Sequence, residues 1–297
     1  MDLIDLSQFL FSGLATGCIY ALVALGFVLC ANVSGVVNFV QGEYVAYGGL
    51  IAASLISAGW PFGAAVAAAV AVGALLGALQ ERFTLAPVRN APDFIQITIT
   101  LGVSVLLRGL ALIIWGKDPL SMPPFPGGEG GFSLLGALLP GQHLWVWAAT
   151  VAFVALTFLF LRFTASGRAV RACSANRYAA QLMGINPERT TLLVFAVSAA
   201  LGALGGAVIA PIALAPWDSG LEYGLKGFIG AIIGGFKGPG MAVAGGLAIG
   251  LIESLAAGYI SSGSKDSVAY GAVLLYLMIR GGVYLTGRAA VAPPERG

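Results

Sequence analysis

The sequence predicts an all-α integral membrane protein of about eight transmembrane helices, with short broken or re-entrant segments among them. Three observations carry this. Of the 297 residues 58% are hydrophobic and only 9% charged, where a soluble domain carries roughly a quarter charged. The apolar stretches recur at about the 20 residues that cross a bilayer. Glycine, at 43 residues, stands at about twice its average usage, which suits helices packed in lipid, where small residues let backbones approach. A net charge of +2 and the lack of basic runs interleaved with aromatics argue against nucleic acid as a partner. Cys18, Cys30 and Cys173 have neither CxxC nor metal spacing and read as packing residues. The N-terminus, MDLIDLSQ, carries two acids and no base, unlike the basic n-region of a cleaved signal peptide, so the first span is expected to stay in the mature chain.

Between Gln8 and Ala58 only Glu43 is charged, enough chain for two helices with a tight join over 31–37. Asn38 with Gln41 three residues on has the form of a capping box, so the second helix is expected over 38–58. Gly59-Trp60-Pro61 makes a turn with an interfacial aromatic, the third span covers 61–83, and a short basic loop with Arg82 and Arg89 follows. The fourth span, 93–115, places Gln96, Thr100, Ser104 and Arg108 every fourth residue. They drift by about 40° per step and so form one slanted polar stripe on an apolar helix.

A Pro/Gly-rich loop without periodicity covers 117–142, and the fifth span runs from 143 to 161. The segment from Arg162 to Arg189 holds Arg162, Arg168, Arg171, Arg177 and Arg189, a basic excess that the positive-inside rule keeps in the cytoplasm. It contains a short helix in outline. Asn176 is its N-cap, 177–183 its two turns, Gly184 its left-handed terminator, and Asn186-Pro187 the stop. Ala179, Leu182 and Met183 fall at i, i+3, i+4, a small apolar face on a wet helix, the shape that docks into another protein's groove. The sixth span, 190–216, offers Gly202, Gly205 and Gly206 as a small-residue surface. An acidic turn, 217–222, precedes 224–236, too short to cross upright and so expected to be re-entrant or broken. GGFKGPG reads as a helix-breaking turn rather than a phosphate cradle. Spans over 241–260, with Gly246, Gly250 and Glu253, and 267–284 close the chain.

Charge sets the expected orientation. Arg82, Arg89, Arg162, Arg168, Arg171, Arg177, Arg189, Lys237, Arg280, Arg288 and Arg296 collect on the cytoplasmic side, against Lys117, Lys226 and Lys265 outside. Asp2, Asp5, Asp118, Glu129, Asp218, Glu222 and Asp266 fall outside as well. The whole chain, 1–297, then reads as a single transmembrane domain with a cytoplasmic loop over 164–189 and an extracytoplasmic loop over 117–142.

Enzyme chemistry finds no footing. No GxxxxGK[ST] loop occurs, since Gly116-Lys117 continues with Asp118, and His143, the one histidine, lies at a membrane entry. Intramembrane charges remain, each costing roughly 2.5 to 3.5 kcal/mol at a helix centre on insertion scales. Arg108 lies about 10 Å from the end of its helix, close enough to snorkel to the outer surface. Glu253 reads equally as an interhelical hydrogen-bond anchor and as a pathway residue. Glu43, near a helix start, is favoured there by the dipole whatever else it does.

Five segments in order resemble the permease family of ATP-driven importers for branched-chain amino acids, in its smaller permease type. They are GLATGCIYALVALGF from Gly13, NFVQGEYVAYGG from Asn38, ITITLGVS from Ile97, GRAVRACSANRYAAQLMGIN from Gly167 and GAIIGGFKGPGMAVAGGLAIGLIES from Gly230. The resemblance implies a fold similar to the permeases of the vitamin B12 and ribose importers. It implies as partners a second, related permease subunit, two cytoplasmic ATPases that bind the ATP and Mg, and an extracytoplasmic substrate-binding protein, in a bacterial inner membrane. The segment around Asn176, Ala179, Leu182, Met183 and Gly184 then corresponds to the helix that couples to an ATPase. Gln41 stands where the family usually has histidine, Tyr178 where it commonly has an acid, and Arg280-Gly281 where it has Arg-Pro.

The expected function is therefore a non-catalytic permease subunit that moves a branched-chain or other aliphatic amino acid. Asn38, Gln41, Glu43, Gln96, Thr100, Ser104, Arg108 and Glu253 are the candidates for its pathway. Within the family the alternative substrates are urea, short amides or small aromatic acids. A self-sufficient carrier or channel is the alternative of another class, disfavoured because only Glu43, Arg108 and Glu253 supply buried ionisable groups.

Overall fold

A computed structural model describes residues 3–289 except Leu135 and Lys237, with side chains described between Ile4 and Ile279. Lys237, Arg296 and Asp2, which entered the charge argument, lie outside the described residues, as do the side chains of Arg280 and Arg288. Among the described residues eleven α-helices follow one another: α1 Leu3–Ser34, α2 Gln41–Ser57, α3 Phe62–Gln80, α4 Asp93–Trp115, α5 Gln142–Phe163, α6 Ala165–Ala175, α7 Arg177–Leu182, α8 Pro187–Ala213, α9 Ser219–Ile233, α10 Pro239–Tyr259 and α11 Lys265–Ala289. Six of them, α1, α3, α4, α5, α8 and α10, are long and apolar enough to cross a membrane. The chain is thus a multi-pass membrane protein.

Burial divides the spans into two layers. The most apolar stretches of α1 and α8 are 83% and 72% buried, those of α3, α4 and α5 only 22%. Hence α1 and α8 form the centre and the other three the rim. Leu22, Leu25, Phe27, Tyr44, Leu50, Phe195 and Leu201 fill the space between α1, α2 and α8. At several glycines of the inner layer the main chains themselves come into contact. A Cβ on Gly206 would lie 1.8 Å from the Val45 carbonyl oxygen, and one on Gly250 would lie 2.2 Å from the Cα of Gly17. Of the glycines expected to pack on the sixth span, Gly202 and Gly206 meet α2 while Gly205 faces Ile19 and Leu22 of α1.

α9, with 15 residues, reaches about 22 Å at 1.5 Å per residue, short of a hydrocarbon core of about 30 Å. The sequence placed this short segment at 224–236, and the helix begins five residues earlier. It turns through Gly235 and Phe236, both at positive φ (68° and 53°), into α10, against which it packs so tightly that a Cβ on Gly245 would meet the Gly230 carbonyl oxygen at 2.0 Å.

Four local expectations are corrected. The capping box at α2 does not form: the helix starts at Gln41, the Asn38 Oδ1 accepts from the Val40 N–H at 3.2 Å, and the Gln41 side chain turns away to α8. The region after α4 is not wholly irregular, because β1 Gly131–Leu134 and β2 Ala137–Pro140 pair antiparallel, Gly131 opposite Pro140. The polar segment holds a second helix, α6, capped by Thr164, whose Oγ1 accepts from the Gly167 N–H at 2.9 Å. Finally, α8 starts three residues before the expected Thr190, with Pro187 at its first turn and the Asn186 Oδ1 accepting from the N–H groups of Glu188 and Arg189.

Candidate functional site

The start of α2 lies inside the bundle. Its residues from Gln41 to Leu50 are all buried, and a Cβ on Gly42 would fall 1.9 Å from the Gly220 carbonyl oxygen, so the first turn of α2 abuts the first turn of α9. Three polar side chains here each find a different partner. Asn38 and Gln80 of α3 exchange amide hydrogen bonds at 2.8 and 3.1 Å, and the Tyr44 hydroxyl donates to the same Gln80 oxygen. Gln41 donates to the Ser198 carbonyl at 2.9 Å and accepts from the Ser198 hydroxyl at 2.7 Å. Glu43 accepts at Oε1 from Ser104 Oγ at 2.8 Å and from Arg108 Nη2 at 2.5 Å.

The stripe on α4 is therefore split. Ser104 and Arg108 serve Glu43, while Thr100 lies one turn away, donating to the Ile97 carbonyl at 2.8 Å and receiving the Phe39 N–H at 3.4 Å. Gln96 takes no part in this cluster. It donates to the Ala91 and Arg89 carbonyls of the loop before its own helix, at 2.8 and 3.3 Å. Arg108 does not snorkel to the surface as the sequence suggested. A carboxylate one helix away, only 1% exposed, offers a bare guanidinium in lipid a better partner than a climb to water, and the pair spares both charges isolated burial. The second oxygen of Glu43, Oε2, is buried with no hydrogen-bond partner among the described residues, as is Nε of Arg108.

Glu253 belongs to a separate cluster. Its Oε2 accepts from the Tyr20 hydroxyl at 2.7 Å and its Oε1 from Lys226 Nζ at 2.7 Å. Lys226, with no exposed surface, also reaches Glu222 at 2.5 Å and Asp266 at 2.9 Å, while Lys265 approaches Glu253 at 3.3 Å. Three carboxylates from α9, α10 and α11 thus close around one ammonium. The sequence counts Lys226 on the outer side, near the start of the short segment 224–236, and gives it no partner. The signal that could have found it was Glu222 and Lys226 at i, i+4 on a short helix, together with a carboxylate at Glu253 that needed a cation. Gln80, Ser198 and Glu81 carried no periodic signal and were missed for that reason.

At the other end of the bundle, α7 has the form its sequence foretold. Asn176 Oδ1 accepts from the Ala179 N–H at 2.9 Å, Gly184 has φ of 81°, and the Ile185 N–H reaches back to the Ala180 carbonyl at 3.0 Å. Leu182 and Met183 are 71% and 83% exposed and Ala179 is exposed beside them. Such a face on a capped helix can seat in a complementary groove.

A family described as "Branched-chain amino acid transport system / permease component" matches residues 9–280. The chain belongs to this family. As a permease component it is a transport subunit and not an enzyme. Among curated relatives, this permease is 30% identical over 287 residues to the high-affinity branched-chain amino acid transport system permease protein LivH of Escherichia coli K12, covering 92% of each chain. It is 29% identical to the corresponding protein BraD of Pseudomonas aeruginosa, over 92% of this chain and 93% of that one. The ribose import permease protein RbsC of Escherichia coli K12 is 29% identical over 258 residues, 86% of this permease and 77% of that protein. No solved structure matches.

Proposed function

We propose that this permease is the membrane subunit of an ATP-driven importer in a bacterial inner membrane and passes a branched-chain or other aliphatic amino acid handed to it by an extracytoplasmic binding protein. A second, related permease completes the pore, and two cytoplasmic ATPases, which bind the ATP and Mg, seat on α7 through Ala179, Leu182 and Met183. The end of the bundle bearing α6 and α7 faces the cytoplasm, because Arg82, Arg89, Arg162, Arg168, Arg171, Arg177 and Arg189 gather there. In this reading α2, α9 and α11 cross along with the six long spans: Asp218 and Glu222 lie outside, and α10 starts at the cytoplasmic end, where Pro239 lines a cavity with Arg171 and Ser174 of α6, so the chain changes sides across α9 and the turn after it.

The observation that carries the substrate class is the buried Glu43–Arg108 pair. An amino acid presents an ammonium and a carboxylate, the same two charges in reverse. Its ammonium can take Glu43, whose Oε2 has no partner among the described residues, while its carboxylate takes Arg108, so every charge stays paired as the substrate passes. The first turns of α2 and α9, meeting beside Glu43, are the arrangement of interrupted helices that transporters use to build midmembrane sites. On this assignment Ser104 positions Glu43, Asn38, Gln41 and Thr100 shape the adjoining wall, and Gln96 and Glu253 stand apart.

The test is uptake of labelled leucine by proteoliposomes holding both permeases, the ATPases and the binding protein. ATP-dependent uptake that unlabelled valine displaces, and urea, acetamide and benzoate do not, is the expected result. Displacement by those competitors instead would overturn the substrate class, and uptake independent of ATP would overturn the importer.

A further inference from the structure

Beside the base of α7 lies a polar cavity of 370 Å³, walled by the end of α1, the π-helical turn Glu81–Leu85 that follows α3, the start of α4, α7 itself and the first turns of α8. Its volume falls within the roughly 300 to 1,000 Å³ of pockets that hold small ligands. Four charged residues line it, Glu81, Arg89, Arg177 and Glu188. Arg89 bridges Glu81 and, at 3.0 Å, Glu188. This leaves two groups incompletely matched. Glu81 is 1% exposed, and its Oε2 has no hydrogen-bond partner among the described residues. Arg177 donates to the Val33 carbonyl at 3.3 Å and has no carboxylate partner among the described residues.

A buried carboxylate oxygen without a donor is unfavourable unless something supplies one. The complement of this wall is a small molecule with an ammonium for Glu81 and a carboxylate for Arg177. We propose that the cavity binds a free α-amino acid. Because Arg177 is the first residue of α7, a bound amino acid ties that helix to the turn after α3 and so restrains the element that would move with the ATPases. On the reading given under the proposed function, the cavity opens to the cytoplasm and its ligand is the imported product, which then slows its own uptake. The binding step itself rests only on the charges and volume of the cavity.

The probe is leucine, measured by equilibrium dialysis against the purified complex of permeases and ATPases without the binding protein. Saturable binding is expected, with a component that is weakened about tenfold in Glu81→Gln, that persists in Glu43→Gln, where only binding in the transport pathway is lost, and that neither 4-methylpentanoate nor 3-methylbutylamine, which each carry one of the two charges, displaces. Asn90 is exposed at the same cavity, so Asn90→Trp fills it without removing an internal bond and should weaken binding similarly even if Glu81→Gln folds poorly. No binding to a complex that transports leucine would overturn the cavity and leave the transport reading intact. So would loss of binding in Glu43→Gln but not in Asn90→Trp. Binding with this variant pattern in a complex that transports no leucine would uphold the cavity and overturn the substrate reading.

Discussion

The ammonium of Lys226 meets Glu253 at 2.7 Å and has no exposed surface, so the midpoint of α9 is fastened to α10 by a charge pair out of contact with water. Removing one partner of such a pair leaves the other buried and uncompensated. Lys226→Met is expected to destabilise the folded permease by about 3 kcal/mol, near the lower end for buried pairs because Lys265 stands 3.3 Å from Glu253 and Glu222 and Asp266 are about half exposed. Replacing both, as Lys226→Met with Glu253→Leu, should recover part of the loss. Thermal melts of the detergent-solubilised complex decide it: equal melting of wild type and Lys226→Met would show that the pair contributes nothing.

For the Glu43 cluster the expectation concerns transport more than stability. Ser104→Ala removes one of two donors to the Glu43 carboxylate, and a hydrogen bond to a charged group contributes about 1.5 to 3 kcal/mol. Uptake of leucine per folded complex should drop by about tenfold or more. Thr100→Val, which loses only a bond back to its own helix and a long one from Phe39, should stay near wild type. Lowered melting of Ser104→Ala with undiminished uptake would remove the cluster from the pathway.

Leu182→Asp tests the docking face. The side chain is 71% exposed, so the permease should insert and melt as wild type does, while a charge buried without a partner in the ATPase groove abolishes association and transport. Co-purification with the ATPases reports this directly. Undisturbed association would show that α7 docks by another face.

Orientation is checked with single cysteines at two exposed serines, Ser174 in α6 and Ser121 before the hairpin. An impermeant thiol reagent added to intact cells should modify Ser121→Cys and spare Ser174→Cys. The reverse pattern inverts the membrane topology and moves α7 away from any cytoplasmic partner.

What the sequence made legible was whatever repeats locally. The bounds of α4 were read residue for residue, because an apolar run between Pro92 and Gly116 has sharp ends. The cap at Asn176 and the terminator at Gly184 were equally plain, each decided within a few residues. Partnerships between distant helices were not legible. Gln41 looked like the second half of a capping box, yet its side chain pairs with Ser198, 157 residues on, because a fully buried amide must find both a donor and an acceptor. Arg108 reads as a snorkelling residue from its position along its helix, and Lys226 reads only as one outer-side charge, whereas each is held by a carboxylate on a neighbouring helix. The hairpin after α4 escaped because strands of four residues carry too little alternation to register.

Direct backbone contact at Gly206 with Val45 and at Gly250 with Gly17 has a mechanical consequence. Helices separated by side chains can slip by a rotamer change, but two main chains pressed together have nothing between them to rearrange, and close-packed interiors transmit strain instead of absorbing it. Through Gly42 on Gly220 and Gly245 on Gly230 the same contact continues by way of α9, so α1, α2, α8, α9 and α10 travel as a single plate. Any opening and closing of the passage falls to the rim helices, hinged where they leave that plate, and a single methyl group added at Gly206 should jam the assembly before it ever reaches the membrane in usable form.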